Sequence, residues 1–307
     1  MLDRCINLLT PAIQASAHPV IVDATLGLGG HTEALLARFK NLTVIGIDRD
    51  KSALEKASAR LAPFGDRLKT AHCVFDEITE VVQSFGFTHI NGAFFDLGVS
   101  SMQLDESERG FSYSQEAPLD MRMDRSKGIT AYEIVNSYEP GKLVKILRTF
   151  GEEKFATRIV ENIVKARAIA PINSTTELAM LVKESIPAAT RRTGGNPAKR
   201  TFQALRIEAN DELGAITRAL PQALDLLMVQ GRLVVMSFQS LEDRIVKEVF
   251  LEASTSKSPR NLPIELPEYA AKFSLVFRSG ETPSQSELDE NPRSASVRLR
   301  AIERVAA

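Results

Sequence analysis

Tryptophan is absent from this 307-residue chain, cysteine occurs twice and histidine four times. No apolar run approaches the roughly 20 residues that a membrane-crossing helix needs. Each shortage excludes something. Cys5 and Cys73 cannot build a disulfide framework, so a reducing cytoplasm is the expected setting. The N-terminus, Met1-Leu2-Asp3-Arg4-Cys5, lacks the basic and long apolar regions of a secretory signal, and no membrane partner is expected. His18, His31, His72 and His89 share no metal-ligand spacing with one another or with the cysteines, so no metal site is expected. An excess of charge is missing too. With 38 Lys and Arg against 39 Asp and Glu, the formal net charge of -1 argues against indiscriminate coating of nucleic acid, and any such contact must come from local patches. One candidate patch is residues 191–200, Arg191-Arg192-Thr193-Gly194-Gly195-Asn196-Pro197-Ala198-Lys199-Arg200, which has four cations and no acid. On its own such a run is usually a solvated loop.

What is present is an ordinary globular composition, 44% hydrophobic and 25% charged, in a chain long enough for about two domains. The first hundred residues alternate β-rich apolar runs with helical patterns, the rhythm of βαβ units around a parallel sheet. Strands are expected at 19–23, 42–48, 68–74 and 90–96, with helices at 32–39, 51–61 and 78–85. Val20-Ile21-Val22 and Val44-Ile45-Gly46-Ile47 are apolar without alternation, as befits strands covered on both faces. From about Glu108 no convincing strand appears until Gly231. Leu143, Ile146, Leu147 and Phe150 recur at helical spacing, and Ser174-Thr175-Thr176-Glu177 reads as a capping box before Leu178, Leu181, Val182 and Ile186. A long helix is expected at 202–220. The βα rhythm resumes with Leu233-Val234-Val235-Met236 and a helix at 241–250, and late strands at 273–277 and 296–302 could close the sheet as an antiparallel pair. Residues 254–267 read as a loop. The expected architecture is therefore α/β: a doubly wound, Rossmann-like core over 1–108 and 203–307, interrupted by a helical insert over 109–202.

In a doubly wound sheet the ligand binds beyond the carboxyl ends of the strands, where the first βα turn must let ligand and backbone come close. That turn is Asp23-Ala24-Thr25-Leu26-Gly27-Leu28-Gly29-Gly30-His31, and Asp48 ends the second strand twenty-one residues after Gly27. A carboxylate there can accept hydrogen bonds from both ribose hydroxyls. A nicotinamide dinucleotide would use the same loop and acid but asks for a small residue at the sixth position of G-x-G-x-x-G, beneath its pyrophosphate; here that position is Thr32. The loop fits better a nucleoside cofactor without phosphate, S-adenosylmethionine, so a methyltransferase is preferred to an NAD(P)-dependent oxidoreductase. Phe75, after the third strand, is placed either to lie near an adenine ring or to serve as an ordinary core aromatic.

The fourth strand ends in Asp96-Leu97-Gly98-Val99-Ser100-Ser101, a carboxylate followed by two hydroxyls, where an acceptor should sit. An exocyclic amine such as cytosine N4 is a poor nucleophile because its lone pair is delocalised. Asp96 or a neighbouring backbone carbonyl accepting its N–H bonds would make that pair more available. Asp96 could equally contact the cofactor.

These residues carry a resemblance. The sequence resembles the bacterial 16S ribosomal RNA (cytosine-N4)-methyltransferase family that modifies cytosine 1402 (rRNA numbering) of the decoding centre. The likeness spans essentially the whole chain. It is carried by the glycine loop, by Asp96 through Ser101 with Met102-Gln103-Leu104-Asp105, and by Glu108-Arg109-Gly110-Phe111-Ser112, Pro118-Leu119-Asp120-Met121-Arg122-Met123-Asp124 and Gly151-Glu152-Glu153-Lys154-Phe155-Ala156. Lys199-Arg200-Thr201-Phe202-Gln203-Ala204-Leu205-Arg206, Ser240-Leu241-Glu242-Asp243-Arg244 and Asn291-Pro292-Arg293-Ser294 complete it. The resemblance implies cofactor contacts from Gly29, Gly30, His31, Asp48, Phe75, Asp96 and Gln103. It also implies that the insert recognises 16S rRNA or the small ribosomal subunit, with Ser100, Ser101, Arg109, Arg122, Lys199 and Arg200 as RNA contacts. A target base must be unstacked to reach a buried cofactor, at a cost of a few kcal/mol that contacts from the insert can offset. A homodimer is left open.

The chain departs from the family pattern twice. The family usually opens with a His-x-Pro-Val segment before its first helix, whereas this chain starts at Met1-Leu2-Asp3, which implies a longer natural start or a missing lid element. Gln239 stands where the family commonly has histidine, and glutamine cannot take a proton near neutral pH, so no general-base role is expected there. A third reading is an assembly factor that keeps the cofactor fold without the chemistry.

Overall fold

In a computed structural model the residues described are 1–100, 102–103, 106–188, 196–259 and 269–307. In chain order the main elements are α1 (Leu2–Gln14), β1 (Val20–Asp23), α2 (Gly30–Arg38), β2 (Thr43–Asp48), α3 (Lys51–Leu61), β3 (Leu68–His72), α4 (Ile78–Ser84) and β4 (Ile90–Asp96). They continue with α5 (Ala131–Ser137), α6 (Pro140–Gly151), α7 (Ala156–Arg167), α8 (Thr175–Ser185), α9 (Lys199–Asn210) and α10 (Glu212–Leu226). The chain closes with β5 (Leu227–Ser237), α11 (Ser240–Ala253), β6 (Phe273–Leu275), α12 (Gln285–Glu290) and β7 (Arg298–Arg304). The chain divides into two compact units, residues 1–98 with 213–307, and residues 99–212. The divisions expected from sequence were 108/109 and 202/203.

The first unit is a seven-stranded sheet of order β3-β2-β1-β4-β5-β7-β6. β1 through β5 are parallel, and β7 runs antiparallel between β5 and β6. The two late strands thus close the sheet as the sequence suggested. The non-alternating apolar runs are explained by two cores. Val20, Val22, Ile45, Ile47, Ala93, Phe95, Leu233 and Val235 pack on one face with Val246 and Phe250 of α11. The intervening Ile21, Val44, Phe94, Val234 and Met236 pack on the other with α1 and with Leu35 and Leu36 of α2. Helix α1, which the sequence reading did not anticipate, buries Cys5, Ile6, Leu8, Leu9, Ala12 and Ile13 on one stripe.

The second unit is helical, with its own core of Leu143, Ile146, Leu147, Ile159, Val160, Ile163, Leu178, Val182, Phe202 and Leu205 among others. Ser174 caps α8 by accepting the Glu177 N–H at 3.2 Å, while the Glu177 carboxylate reaches past it to the Asn173 N–H at 2.9 Å. The long helix expected over 202–220 is two helices. Asp211, at φ 49°, stops α9 in the left-handed conformation that ends helices. Asn210 beside it is buried and bridges outward, accepting from Met123 N and donating to Met121 O, both at 2.7 Å.

Candidate functional site

The carboxyl ends of β1, β2 and β4 assemble the site in the first unit. β1 ends on Asp23, which is 1% exposed; its carboxylate accepts the Thr32 hydroxyl at 2.7 Å and the Thr25 N–H at 3.3 Å. Thr32, the residue that spoils a dinucleotide fingerprint, therefore clamps the start of α2 to the end of β1. Thr25 in turn accepts the Asp96 N–H at 2.7 Å, tying the loop to β4. On the other side Asp48 accepts Gly27 N–H at 2.7 Å through one oxygen and Asp50 N–H at 2.8 Å through the other. Held on both flanks, the loop turns into α2 at Gly29, whose φ of 78° is costly for any residue with a side chain. A Cβ there would also stand 2.8 Å from Leu61 Cδ1. Nothing lies within 4 Å of a Cβ on Gly30, so that stretch of backbone is open to a ligand.

The structure thus brings Gly29, Gly30, His31, Asp48 and Asp96 to one end of the sheet. His31 opens α2 with its ring 4.4 Å from that of Phe94, and burial lowers its pKa to about 4, so the imidazole is neutral. Its Nε2 is buried without a hydrogen-bond partner, as is Asp96 Oδ1. Phe75 follows β3 in a short 3-10 turn and meets Phe95 edge to face at 5.5 Å.

Burial raises the Asp96 carboxyl to about 7, with repulsion from Asp23 and Glu242 adding to it. Burial likewise raises Asp23 to about 6 and pushes Asp48 upward. Glu242 was not among the expected site residues, though it lies in the Ser240-Leu241-Glu242-Asp243-Arg244 motif. Fully buried, it accepts N–H bonds from Phe238 at 2.8 Å and Gln239 at 3.1 Å. Gln239 itself donates Nε2–H to Glu242 Oε1 at 3.2 Å, which leaves its own Oε1 buried and unpartnered. Because a carboxylate only accepts, this bond fixes which way the amide faces. Gln239 is an anchor for Glu242 here.

An end of a sheet crowded with Asp23, Asp48, Asp96 and Glu242 repels anions. The two negative charges of a dinucleotide pyrophosphate would sit among these carboxylates, whereas a sulfonium and an ammonium would relieve their repulsion. A neutral His31 with a free ring nitrogen and Asp96 with an unpaired oxygen are suited to the polar groups of such a ligand. The residues present therefore fit S-adenosylmethionine and disfavour NAD. Among the described residues no group of three His, Cys, Asp or Glu is placed to hold a metal ion, and no helix is long and apolar enough to cross a membrane.

The remaining expected residues belong to the second unit. Gln103 is 5% exposed; its Oε1 accepts Ser100 N–H at 3.1 Å and its N–H donates to Ser100 Oγ at 3.2 Å. Arg109 is also 5% exposed, donating to the carbonyls of Arg122 at 3.2 Å and Met123 at 2.8 Å. Arg122 makes a two-pronged pair with Asp120 at 2.7 and 3.0 Å. Both guanidinium groups thus shape the 120–123 segment from within. Lys199 and Arg200, in the first turn of α9, are exposed. Ser101 and residues 191–195 lie outside the described residues, as do 260–267 of the expected loop.

The chain is similar to known proteins along almost its whole length. A protein of Renibacterium salmoninarum named ribosomal RNA small subunit methyltransferase H is 55% identical over 307 residues, covering 99% of this chain and 93% of that protein. Proteins of the same name from Salinispora tropica and Mycolicibacterium smegmatis are each 53% identical over 99% of this chain, covering 83% of their own lengths. The profile of the MraW methylase family matches residues 1–305, and this chain belongs to that family.

Proposed function

We propose that this protein transfers a methyl group from S-adenosylmethionine to N4 of cytosine 1402 in 16S rRNA. Membership of a methylase family whose relatives are named for the small-subunit rRNA supports the reaction class and the substrate. The observation that carries the choice of an amine acceptor is Asp96: a carboxyl at the end of β4 with one oxygen unpartnered and a pKa of about 7.

When bound, S-adenosylmethionine supplies an electrophilic methyl group on a sulfonium centre. Gly29, Gly30 and His31 would hold its amino-acid portion, Asp48 its ribose, and Phe75 its adenine. Asp48 retains lone pairs for hydroxyls, since each of its oxygens accepts one backbone N–H. Asp96 accepts an N–H of the target amine, raising the electron density on nitrogen, and takes the proton released as the N–C bond forms. A pKa near 7 suits both halves of that task. Holding acceptor and methyl in line contributes up to roughly 7–11 kcal/mol to lowering the barrier. Ser100, Ser101, Lys199 and Arg200 contact the RNA, while Arg109 and Arg122 act by shaping the segment beside it.

The test is tritium transfer from labelled cofactor to small subunits and to naked 16S rRNA, with the label mapped by nucleoside analysis. Label in N4-methylcytidine at position 1402 is expected. Cofactor binding without transfer to either RNA would favour an assembly factor instead, and label elsewhere would overturn the site.

A further inference from the structure

The net charge of the chain is close to zero, and several exposed arginines are paired with acids: Arg60 with Glu33, Arg125 with Asp120, Arg218 with Asp76. One surface of the second unit gathers cations without such partners. Lys145 and Arg148 lie one turn apart on α6, Lys154 precedes α7, Arg158 sits in its first turn, and Lys199 and Arg200 open α9; all six are exposed. None has a carboxylate within ion-pair distance among the described residues.

Three helices bring these cations together around the turn at Gly151. Arg148 Nη2 donates to Thr157 Oγ1 at 2.9 Å, joining α6 to the start of α7. Arg200 Nη1 donates to the Glu152 carbonyl at 2.8 Å, and Gln203 Nε2 to the Phe150 carbonyl at 2.9 Å, joining α9 to the same turn. The contact is close enough that a Cβ on Gly151 would stand 2.6 Å from the Arg200 carbonyl oxygen. Arg148 at the end of α6 is favourably placed for the helix dipole, but the cations that open α7 and α9 are not. Arg158, Lys199 and Arg200 sit in first turns that contain no acid, where positive charge opposes the helix dipole. Among the described residues this surface carries no large exposed apolar side chain on which a base could stack. The large exposed apolar side chains of this unit, Tyr132, Ile169 and Met180, all lie on other segments.

Resting on the reading of rRNA as substrate, we infer that Lys145, Arg148, Lys154 and Arg158, continuous with Lys199 and Arg200, form a surface that grips the phosphodiester backbone of the RNA. It holds the substrate by charge and does not read bases, because phosphate contacts position a nucleic acid while base edges and stacking specify it.

The experiment compares binding of the wild-type protein and the triple variant Arg148→Gln, Lys154→Gln, Arg158→Gln to small ribosomal subunits across a salt series. Removing three contacts should flatten the slope of log affinity against log salt by about 2 and weaken binding about 10- to 100-fold near physiological salt. Cofactor affinity should be unchanged. A triple variant that keeps the charges, Arg148→Lys, Lys154→Arg, Arg158→Lys, should bind like the wild type. The control Lys40→Gln, Lys247→Gln, Arg278→Gln removes three exposed cations of the first unit and should leave the slope within about 0.5 of the wild type. A slope unchanged in the first variant, or lowered equally in the control, overturns the proposal. Because the readout is binding, it stands apart from whether the methyl group arrives at position 1402.

Discussion

Asp96 is where burial and function meet. Its carboxyl is raised to about 7 chiefly by burial, and Asp23 to about 6. An acid whose pKa rises on folding binds more protons in the folded state, so its stabilising contribution is lost as pH climbs from the ordinary 3.8 through the folded value. His31 acts oppositely. Lowered to about 4 by burial, it stays neutral while the unfolded chain is still protonated, so its contribution grows between about 4 and 6.5. The two are separated by Asp96→Asn. The melting temperature of that variant, measured relative to the wild type without cofactor, should increase steadily from pH 4 to pH 7.5, and a flat difference would contradict the raised pKa. In the wild-type enzyme log kcat/KM should rise with pH up to about 7 and then level, a limb that Asp96→Asn should lack. Asp48 makes a simpler prediction. If Asp48 receives the ribose as proposed, Asp48→Ala removes those acceptors and frees Gly27 N–H, so cofactor affinity should fall about 10- to 100-fold by calorimetry, with RNA affinity unchanged.

At the level of elements, both units depend on close backbone approaches that only small residues allow. The first βα turn is held by Thr25, Thr32 and Asp48, and α2 starts where Gly29 permits. In the insert, α6 ends at Gly151 against the backbone of α9. Gly151→Ala should destabilise the protein by about 1–3 kcal/mol, since the facing atom is a carbonyl oxygen that cannot rotate away. Denaturant unfolding measures this, and an unchanged midpoint would mean that α9 shifts freely. The break between α9 and α10 follows similar logic. Residues 202–220 carry a continuous helical pattern, and the stop at Asp211 comes from tertiary ties: Asn210 to the 121–123 backbone, and Arg206 paired with Glu212 at 2.7 Å across the break.

For the whole molecule, the charge pattern separates two tasks. The carboxyl end of the sheet gathers buried acids, suited to a cationic cofactor, and the α6–α7 turn gathers exposed cations, suited to a polyanion. Ligand linkage checks the first. S-adenosylmethionine at 100 times its dissociation constant should stabilise the folded protein by about 2.7 kcal/mol, while NAD(H) at the same concentration should leave the melting temperature unmoved. Stabilisation by NAD(H) instead would overturn the electrostatic argument.

What the sequence determined by itself was local. Non-alternating strands, the glycine loop, the acids at the ends of β2 and β4, and the helical spacing of Leu143, Ile146 and Leu147 are set by neighbours along the chain, so the doubly wound core and most of the candidate site were legible. The tertiary structure decided what depends on residues far apart. That Arg109 would be buried beneath the Arg122 and Met123 carbonyls could not be read from a charged stretch, nor could Glu242 be seen to raise the pKa of Asp96 from 146 positions away. The meeting of Arg148, Arg158 and Arg200 around one turn was likewise invisible. Periodicity tells which face of an element is apolar; which charges end up as neighbours depends on how those faces pack, and desolvation and Coulomb terms depend on that distance alone.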